Sequence, residues 1–123
     1  MRKILIVDDE ADVNFLFKLV LEENGFAVDS FDDPLLALQN FRAGLYDLLL
    51  LDILMPKMNG FELYQKMRIL DNKVKVCFLT ASGMNYEQFS SRAALGINSE
   101  KNCFINKPIE NEELIKTVKM QIE

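Results

Sequence analysis

Residues 46–60, with the sequence YDLLLLDILMPKMNG, decide the fold of this chain. Leu48–Leu51 form an uninterrupted apolar run, which is typical of a strand buried on both faces of a parallel sheet covered by helices. The run ends at a carboxylate, Asp52, and Pro56 delays the next helix until Asn59. In open α/β sheets ligands bind beyond the carboxyl ends of the strands. Asp52 is therefore predicted to be the central group of a candidate site.

The composition indicates one globular domain over residues 1–123 and argues against several classes of function. A formal net charge of −5 disfavours direct binding to nucleic acid. The longest aliphatic runs have four residues, against about twenty needed to cross a membrane. Ile4–Val7 is also too short for the apolar part of a secretion signal. The chain is expected to work in the cytoplasm, away from membranes.

The chain has two cysteines, Cys77 and Cys103, and no histidine. In a reducing compartment, buried free thiols are the favoured interpretation of the cysteines. Without histidine, most zinc sites and every Ser-His or Cys-His catalytic pair are excluded. The chain also has no histidine of its own to carry a phosphoryl group.

Strand-like and helix-like segments alternate along the whole chain. Strands are predicted at 4–7, 27–31, 48–51, 74–79 and 103–105. Helices are predicted after each strand, with the second ending at Gly44 and the fourth over 85–95. Residues expected on their inward faces include Val13, Phe15, Leu16, Phe17, Leu19, Val20, Leu21, Leu63, Met67 and Leu70. Five strands alternating with five helices predict an α/β fold, with a parallel sheet covered on both faces.

Four of the predicted strands end in polar side chains that can act together. Asp8 and Asp9 follow the first strand, Asp52 the third, Thr80 the fourth and Lys107 the fifth. Because the carboxyl ends of parallel strands share one edge of the sheet, these side chains should converge. Each alone is explained as well by a helix cap, a turn or an exposed charge. Their occurrence together at four strand ends favours a functional site.

The chemistry of this set points to phosphoryl transfer. Oxygen ligands without histidine or cysteine favour Mg²⁺ or Mn²⁺, which would relieve the repulsion among the three carboxylates. A carboxylate beside such a cation can attack a phosphoryl group in line and form an acyl phosphate. Lys107 would then bind the phosphoryl oxygens, and Thr80 would donate a hydrogen bond to them.

The chain resembles the receiver domain of two-component response regulators. The resemblance rests on ILIVDDE at 4–10, LDILMPKMNG at 51–60, LTA at 79–81 and NKP at 106–108. These segments extend from the first strand almost to the last helix. The resemblance implies a flavodoxin-like (βα)5 fold, a doubly wound parallel sheet with strand order 2-1-3-4-5.

The resemblance also implies a role in a two-component phosphorelay. Asp52 would accept a phosphoryl group from a phosphohistidine on a sensor histidine kinase or a histidine phosphotransfer protein. Asp8, Asp9, Asp52 and the backbone carbonyl of Leu54 would hold Mg²⁺. The domain would not be an enzyme in the ordinary sense, because it would catalyse only its own phosphorylation and dephosphorylation. Phosphorylation would switch a face that binds a downstream protein or effector domain.

Thr80 and Phe104 would form the switch pair of such a receiver. The Thr80 hydroxyl would gain a partner only in the phosphorylated state, and the Phe104 ring would turn inward. A plain core ring explains Phe104 nearly as well, because phenylalanine has no hydroxyl to favour an exposed position. Leu54 and Ser82, two residues after Asp52 and Thr80, should flank the path of hydrolytic water and tune the phosphoryl lifetime.

Three other functions compete with the receiver interpretation. An aspartate-nucleophile phosphatase needs a second Asp two residues beyond its nucleophile, where this chain has Leu54. A flavodoxin-like FMN carrier needs a Gly- and hydroxyl-rich phosphate loop after the first strand, where this chain has the acidic residues 8–10. A degenerate receiver that acts as a phosphate-independent scaffold should lack part of the site, yet each expected residue is present.

Between Thr80 and Lys107 the chain is longer than the receiver pattern, with the surplus in residues 95–102. That face often mediates dimerisation or output in the family, so a standard dimer mode is not carried over. No linker or effector domain follows the last helix within residues 1–123. We therefore expect either a stand-alone receiver or a fragment of a longer regulator.

Overall fold

A computed structural model describes residues 1–81 and 103–123. Its elements in chain order are β1 (Lys3–Val7), α1 (Ala11–Glu23), β2 (Ala27–Phe31), α2 (Pro34–Asn40), β3 (Leu48–Asp52), α3 (Gly60–Leu70), β4 (Lys75–Ala81), β5 (Cys103–Lys107) and α4 (Asn111–Ile122). The strands form one parallel sheet in the order β2-β1-β3-β4-β5, which confirms the predicted α/β fold and strand order. Ser82, the predicted helix over 85–95 and the surplus at 95–102 lie outside the described residues.

The central strand β3 is buried along its whole length. Leu48 and Leu50 pack in the layer that contains α1 and α4, whereas Leu49 and Leu51 pack in the layer that contains α2 and α3. Successive side chains of a strand point to opposite faces, so an apolar run without alternation fits a sheet covered on both sides. The interpretation of residues 48–51 as a doubly covered strand is therefore confirmed.

The loop after β3 is fixed to the start of α3 by a capping box. The Asn59 side chain accepts a hydrogen bond from the Glu62 backbone N–H at 2.9 Å, and the Glu62 carboxylate accepts one from the Asn59 N–H at 3.2 Å. Gly60 follows at the first position of the helix, where a Cβ atom would overlap the backbone carbonyl of Asp52. Only glycine allows α3 to begin so close to the end of β3.

Several apolar residues that were predicted to face the core are exposed instead. The exposed fractions are 72% for Phe15, 44% for Leu16, 45% for Leu19 and 54% for Leu70. An α-helix turns by about 100° per residue. Since Phe17, Val20 and Leu21 are the buried apolar side chains of α1, Phe15 and Leu19 fall on the opposite side of that helix. The predicted inward face of α1 was therefore too wide.

Several predicted boundaries also differ from the observed ones, and those at the ends of β4 and α2 are the most informative. β4 continues through Thr80 to Ala81 instead of ending at 79, because its last residues pair with the end of β5. The helix α2 ends at Asn40 and not at Gly44, and Phe41 continues in an extended, buried conformation. Both differences arise from pairing and packing between elements, which a local sequence pattern does not contain.

The prediction of two free thiols is wrong, because Cys77 and Cys103 form a disulfide between β4 and β5. The register of the two strands makes these residues direct partners, with their Cα atoms 4.4 Å apart. Both side chains lie in the layer that contains α1 and α4. Their proximity depends on how two strands align across 26 positions of sequence, so composition alone could not reveal it.

Candidate functional site

Asp8 and Asp9 follow β1, where the chain turns towards α1. Asp8 is fully buried, whereas Asp9 is exposed. The backbone N–H of Asp8 donates to the carbonyl of Phe31 at the end of β2, at 3.2 Å. Its carboxylate Oδ1 accepts from the backbone N–H of Glu10 at 2.9 Å. Backbone contacts therefore fix the position of Asp8 before the helix begins.

Asp52 is the last residue of β3 and is only 4% exposed. The next residue, Ile53, is held from two sides: its N–H donates to the carbonyl of Leu79 at 3.1 Å, and its carbonyl accepts from the N–H of Gly60 at 2.9 Å. The first contact belongs to β4 and the second to α3. The backbone beyond Asp52 is thus anchored to two neighbouring elements.

The three aspartates converge as the sequence predicted. Each of Asp8, Asp9 and Asp52 offers a carboxylate oxygen, and these oxygens lie within 4.8 Å of one another. Two of the residues are buried and Asp9 is exposed, so the cluster opens to solvent on one side. Such an acidic cluster can bind a metal, and its purely oxygen donor set suits Mg²⁺ or Mn²⁺. The role of the Leu54 carbonyl as a further ligand stays a prediction.

Lys107, the last residue of β5, faces this cluster. Its Nζ lies 2.9 Å from Asp8 Oδ2 and 3.6 Å from Asp52 Oδ1. The same atom lies 3.2 Å from Glu10 Oε1, a contact that the sequence analysis did not assign. The side chain of Lys107 is only 12% exposed, which leaves it little freedom to turn towards solvent. The structure therefore brings together the predicted ammonium and carboxylates at one edge of the sheet.

Burial, followed by the charge of Asp8, raises the pKa of Asp52 to about 8, although Lys107 acts in the opposite direction. Burial alone would lower the pKa of Lys107, but its hydrogen bond to Asp8 and the charge of Asp52 outweigh burial and raise it. The ammonium lies nearer to Asp8 than to Asp52. The Lys107 ammonium is thus shared unequally between the Asp8 and Asp52 carboxylates. A second positive charge would therefore stabilise the site.

Thr80 is buried at the end of β4, opposite Asn106 of β5. Its hydroxyl lies 2.9 Å from the Asn106 Oδ1 and donates a hydrogen bond to it. The prediction that Thr80 gains a partner only in the phosphorylated state is therefore wrong, because the hydroxyl already has one. Any movement of Thr80 towards Asp52 must exchange this bond for another.

Phe104 lies on β5, separated from β3 and Asp52 by β4, and is partly buried. Its ring packs in the layer that contains α2 and α3, with its centroid 5.6 Å from that of Phe78. The two residues are register partners on β5 and β4. Its role in a switch stays a prediction, as does the alternative of a plain core ring.

Sequence reasoning missed Asn14, which is buried in α1 and contacts the site. Its side-chain N–H donates to the carbonyl of Asp8 at 2.7 Å. A signal was present in the sequence, because Asn14 stands three and seven residues before the core residues Phe17 and Leu21. A polar residue at such a core-facing position needs a hydrogen-bond partner.

Comparisons with known proteins agree with this geometry. The profile of the family described as the response regulator receiver domain matches residues 4–119. Over 119 residues the chain is 36% identical to the transcriptional regulatory protein CpxR homolog of Haemophilus influenzae and 34% identical to CpxR of Escherichia coli. These matches cover 97% of this chain but only 49% and 48% of the relatives. The chain thus spans about half the length of the curated relatives it matches.

Solved structures show the same similarity. The response regulator TrrA of Thermotoga maritima, in complex with Mg(2+)-BeF, is 32% identical, with a TM-score of 0.80 over 98% of this chain and 99% of that one. A CheY-like receiver domain from Methanospirillum hungatei is 26% identical, with a TM-score of 0.85 over 99% of this chain and 94% of that one. The architecture of the described residues is thus shared with response regulator proteins.

Proposed function

Because this chain belongs to the response regulator receiver family, whose members take part in phosphorylation-based signalling, we propose that Asp52 is the phosphoacceptor of a two-component phosphorelay. The observation that carries the proposal is the convergence of Asp8, Asp9, Asp52 and Lys107 at one edge of the sheet. A helix cap or an isolated surface charge would not require three carboxylates and a buried ammonium to meet.

In the proposed reaction a carboxylate oxygen of Asp52 attacks the phosphorus of a phosphohistidine on a sensor kinase or phosphotransfer protein. The O–P bond forms, the P–N bond breaks, and the imidazole leaves as a neutral group after it takes up a proton. Asp52 must be ionised to attack, and Lys107, 3.6 Å away, favours the ionised form. The same ammonium is placed to pair with the transferred phosphoryl oxygens.

The carboxylates of Asp8, Asp9 and Asp52 fit a Mg²⁺ or Mn²⁺ ion, because they supply three oxygens within 4.8 Å. The backbone carbonyl of Leu54 would add a further ligand. When bound, the cation neutralises negative charge on the transferring phosphoryl group. The complex of Thermotoga maritima TrrA with Mg(2+)-BeF supports this assignment for a relative that is 32% identical.

The proposed switch begins with the exchange of one hydrogen bond. The phosphoryl group on Asp52 adds negative charge and acceptor oxygens. The Thr80 hydroxyl leaves Asn106 and donates a hydrogen bond to one of these oxygens. Phe104 then turns inward and changes the surface formed by β4 and β5. The exposed side chain of Leu54 would flank the path of hydrolytic water and so tune the phosphoryl lifetime, and the same role is proposed for Ser82, which lies outside the described residues.

The proposed partners are a histidine-containing phosphodonor and a downstream protein or effector domain. The curated relatives are described as transcriptional regulatory proteins, and this chain matches about half of their length. In that arrangement the receiver itself needs no contact with nucleic acid, and it turns over no external substrate. No helix in the described ranges 1–81 and 103–123 could span a bilayer. We propose a cytoplasmic location because response regulators generally work there.

The proposal is tested by incubating the purified chain with Mg²⁺ and acetyl phosphate or phosphoramidate, followed by intact mass. The wild type should gain one phosphoryl group, and Asp52→Asn should gain none. Asp32→Asn, at an exposed aspartate near α2, is the matched control and should be labelled like the wild type. Labelling at another residue, or none in a folded sample saturated with Mg²⁺, would overturn the proposal. Release of phosphate from small phosphoesters would instead favour a phosphatase.

A further inference from the structure

Asn14 is a buried polar side chain for which phosphoryl transfer itself has no use. The buried polar residues among those described are Asp8, Asn14, Asp52 and Thr80. The other three belong to the proposed phosphorylation site, whereas Asn14 lies one turn inside α1 and is 6% exposed. Burial of an amide is unfavourable unless its hydrogen bonds are made, so its position calls for an explanation.

The Asn14 amide nitrogen joins the ends of two strands to the helix. It donates to the carbonyl of Asp8 at 2.7 Å and to the carbonyl of Phe31 at 3.1 Å. These contacts assign the amide orientation, because the reverse orientation would place its oxygen against two carbonyl oxygens. Phe31 also accepts from the Asp8 N–H, so the three residues form one connected set.

The other end of the amide argues against a simple packing role. The buried Oδ1 of Asn14 has no hydrogen-bond partner among the described residues. A buried acceptor without a partner is unfavourable, so an apolar side chain would fill this space at lower cost. The bonds made by the amide nitrogen are the feature that such a side chain would not supply.

The Asp8 carbonyl belongs to the planar peptide group that links Asp8 to Asp9. The orientation of this plane therefore helps to set the directions in which the two side chains leave the backbone. We propose that Asn14 is a positioning residue for the divalent cation: it holds the Asp8–Asp9 peptide in the orientation that brings both carboxylates to Asp52. The inference rests on the proposed function, since it assumes that this cluster binds Mg²⁺.

The test compares the Mg²⁺ affinity of Asn14→Leu with that of the wild type, measured by isothermal titration calorimetry on the unphosphorylated chain. Leucine has a similar size but no donor. The matched control is Asn24→Leu, because the Asn24 amide also donates to a backbone carbonyl, that of Val20 at 2.8 Å, but at the far end of α1. We expect Asn14→Leu to bind Mg²⁺ roughly tenfold more weakly and Asn24→Leu to stay within about twofold of the wild type.

Labelling by acetyl phosphate gives the second measurement. Asn14→Leu should need more Mg²⁺ for half-maximal labelling but reach nearly the wild-type labelling rate at saturating Mg²⁺. A loss of folding would instead lower the labelling rate at every Mg²⁺ concentration. Wild-type Mg²⁺ affinity in folded Asn14→Leu would overturn the inference. If that variant fails to fold, Asn14→Ala removes the donor without added bulk, and wild-type affinity there would overturn it equally. If the wild type itself binds no Mg²⁺, the proposed metal site fails together with this inference.

Discussion

At the scale of single residues, Asp52 links the pH to the stability of the fold. Burial, followed by the charge of Asp8, raises its pKa from 3.8 to about 8. Between these two values the folded chain holds a proton that the unfolded chain has released. The free energy of unfolding should therefore fall as the pH rises from about 4 to about 8, and Asp52 should contribute no further change above that range.

Asp52→Asn should remove this dependence, because asparagine is neutral at every pH in the range. In the absence of divalent cations we expect the substitution to raise the free energy of unfolding more at about pH 8 than near pH 4, with the gain growing by at most about 1.4 kcal/mol per pH unit. Urea unfolding at a series of pH values measures the effect. Asp32→Asn, at an exposed position, should leave the pH dependence unchanged. Equal slopes in wild type and Asp52→Asn would show that Asp52 is not the group responsible.

At the scale of elements, the close approach of α3 to β3 depends on Gly60. A Cβ atom there would overlap the Asp52 carbonyl, so Gly60→Ala must push the helix away from the strand end. We expect a loss of roughly 2 to 4 kcal/mol in the free energy of unfolding, together with weaker Mg²⁺ binding. Gly44→Ala is the comparison, because Gly44 has a φ of 80° but open space around it.

The Gly44 substitution should cost only about 1 kcal/mol, because its penalty comes from backbone conformation and not from overlap. It should also leave Mg²⁺ affinity unchanged, since Gly44 precedes β3 and lies at the opposite end of that strand from Asp52. Thermal or urea unfolding and calorimetric titration of both variants give the comparison. A Gly60→Ala variant with wild-type stability would contradict the overlap seen between α3 and β3.

The Cys77–Cys103 disulfide should stabilise the pairing of β4 with β5. It closes a loop over a sequence separation of 26. A cross-link of about that length raises the free energy of unfolding by about 3 kcal/mol, because it lowers the conformational entropy of the unfolded chain. Urea unfolding with and without reductant should show that difference in the wild type. Cys77→Ala should show no effect of reductant, since it has no bond to break. A wild type that is equally stable in both conditions would argue that the thiols are not bonded in solution.

Element types followed from local patterns and strand order from the resemblance to receiver domains, whereas strand register followed from neither. The apolar run at 48–51 and the spacing of apolar residues in the helices were enough to predict alternating strands and helices, because period and burial are linked directly. The disulfide and the extension of β4 to Ala81 depend on which residues of β4 and β5 align. The exposure of Phe15 depends on which side of α1 meets the sheet. Both are set by long-range packing.

At the scale of the whole molecule, topology explains why the site was predictable in outline. Parallel strands bring their carboxyl ends to one edge, so Asp8, Asp52 and Lys107 converge although Asp8 and Lys107 are 99 positions apart. The Glu10–Lys107 and Thr80–Asn106 contacts were not predictable in the same way. They depend on side-chain directions within loops and strand ends, where several partners compete for one ammonium or one hydroxyl.

The same convergence couples the proton on Asp52 to the proposed cation. A carboxyl with a pKa of about 8 is mostly protonated at neutral pH, yet only the carboxylate can serve as a ligand. Mg²⁺ binding should therefore release a proton. Its apparent Kd should rise roughly fivefold from pH 8 to pH 7 and close to tenfold from pH 7 to pH 6.

Calorimetric titration in buffers with different ionisation enthalpies measures this release directly, and we expect nearly one proton per Mg²⁺ near pH 6. Asp52→Asn should bind Mg²⁺ more weakly at pH 8 but lose most of the pH dependence, because the titrating ligand is gone. Equal Mg²⁺ affinity of the wild type at pH 6 and pH 8 would show that Mg²⁺ binding does not release a proton from Asp52. In that case either Asp8 and Asp9 would hold the ion without Asp52, or the Asp52 carboxyl would already be ionised at pH 6; the pH dependence of unfolding distinguishes the two.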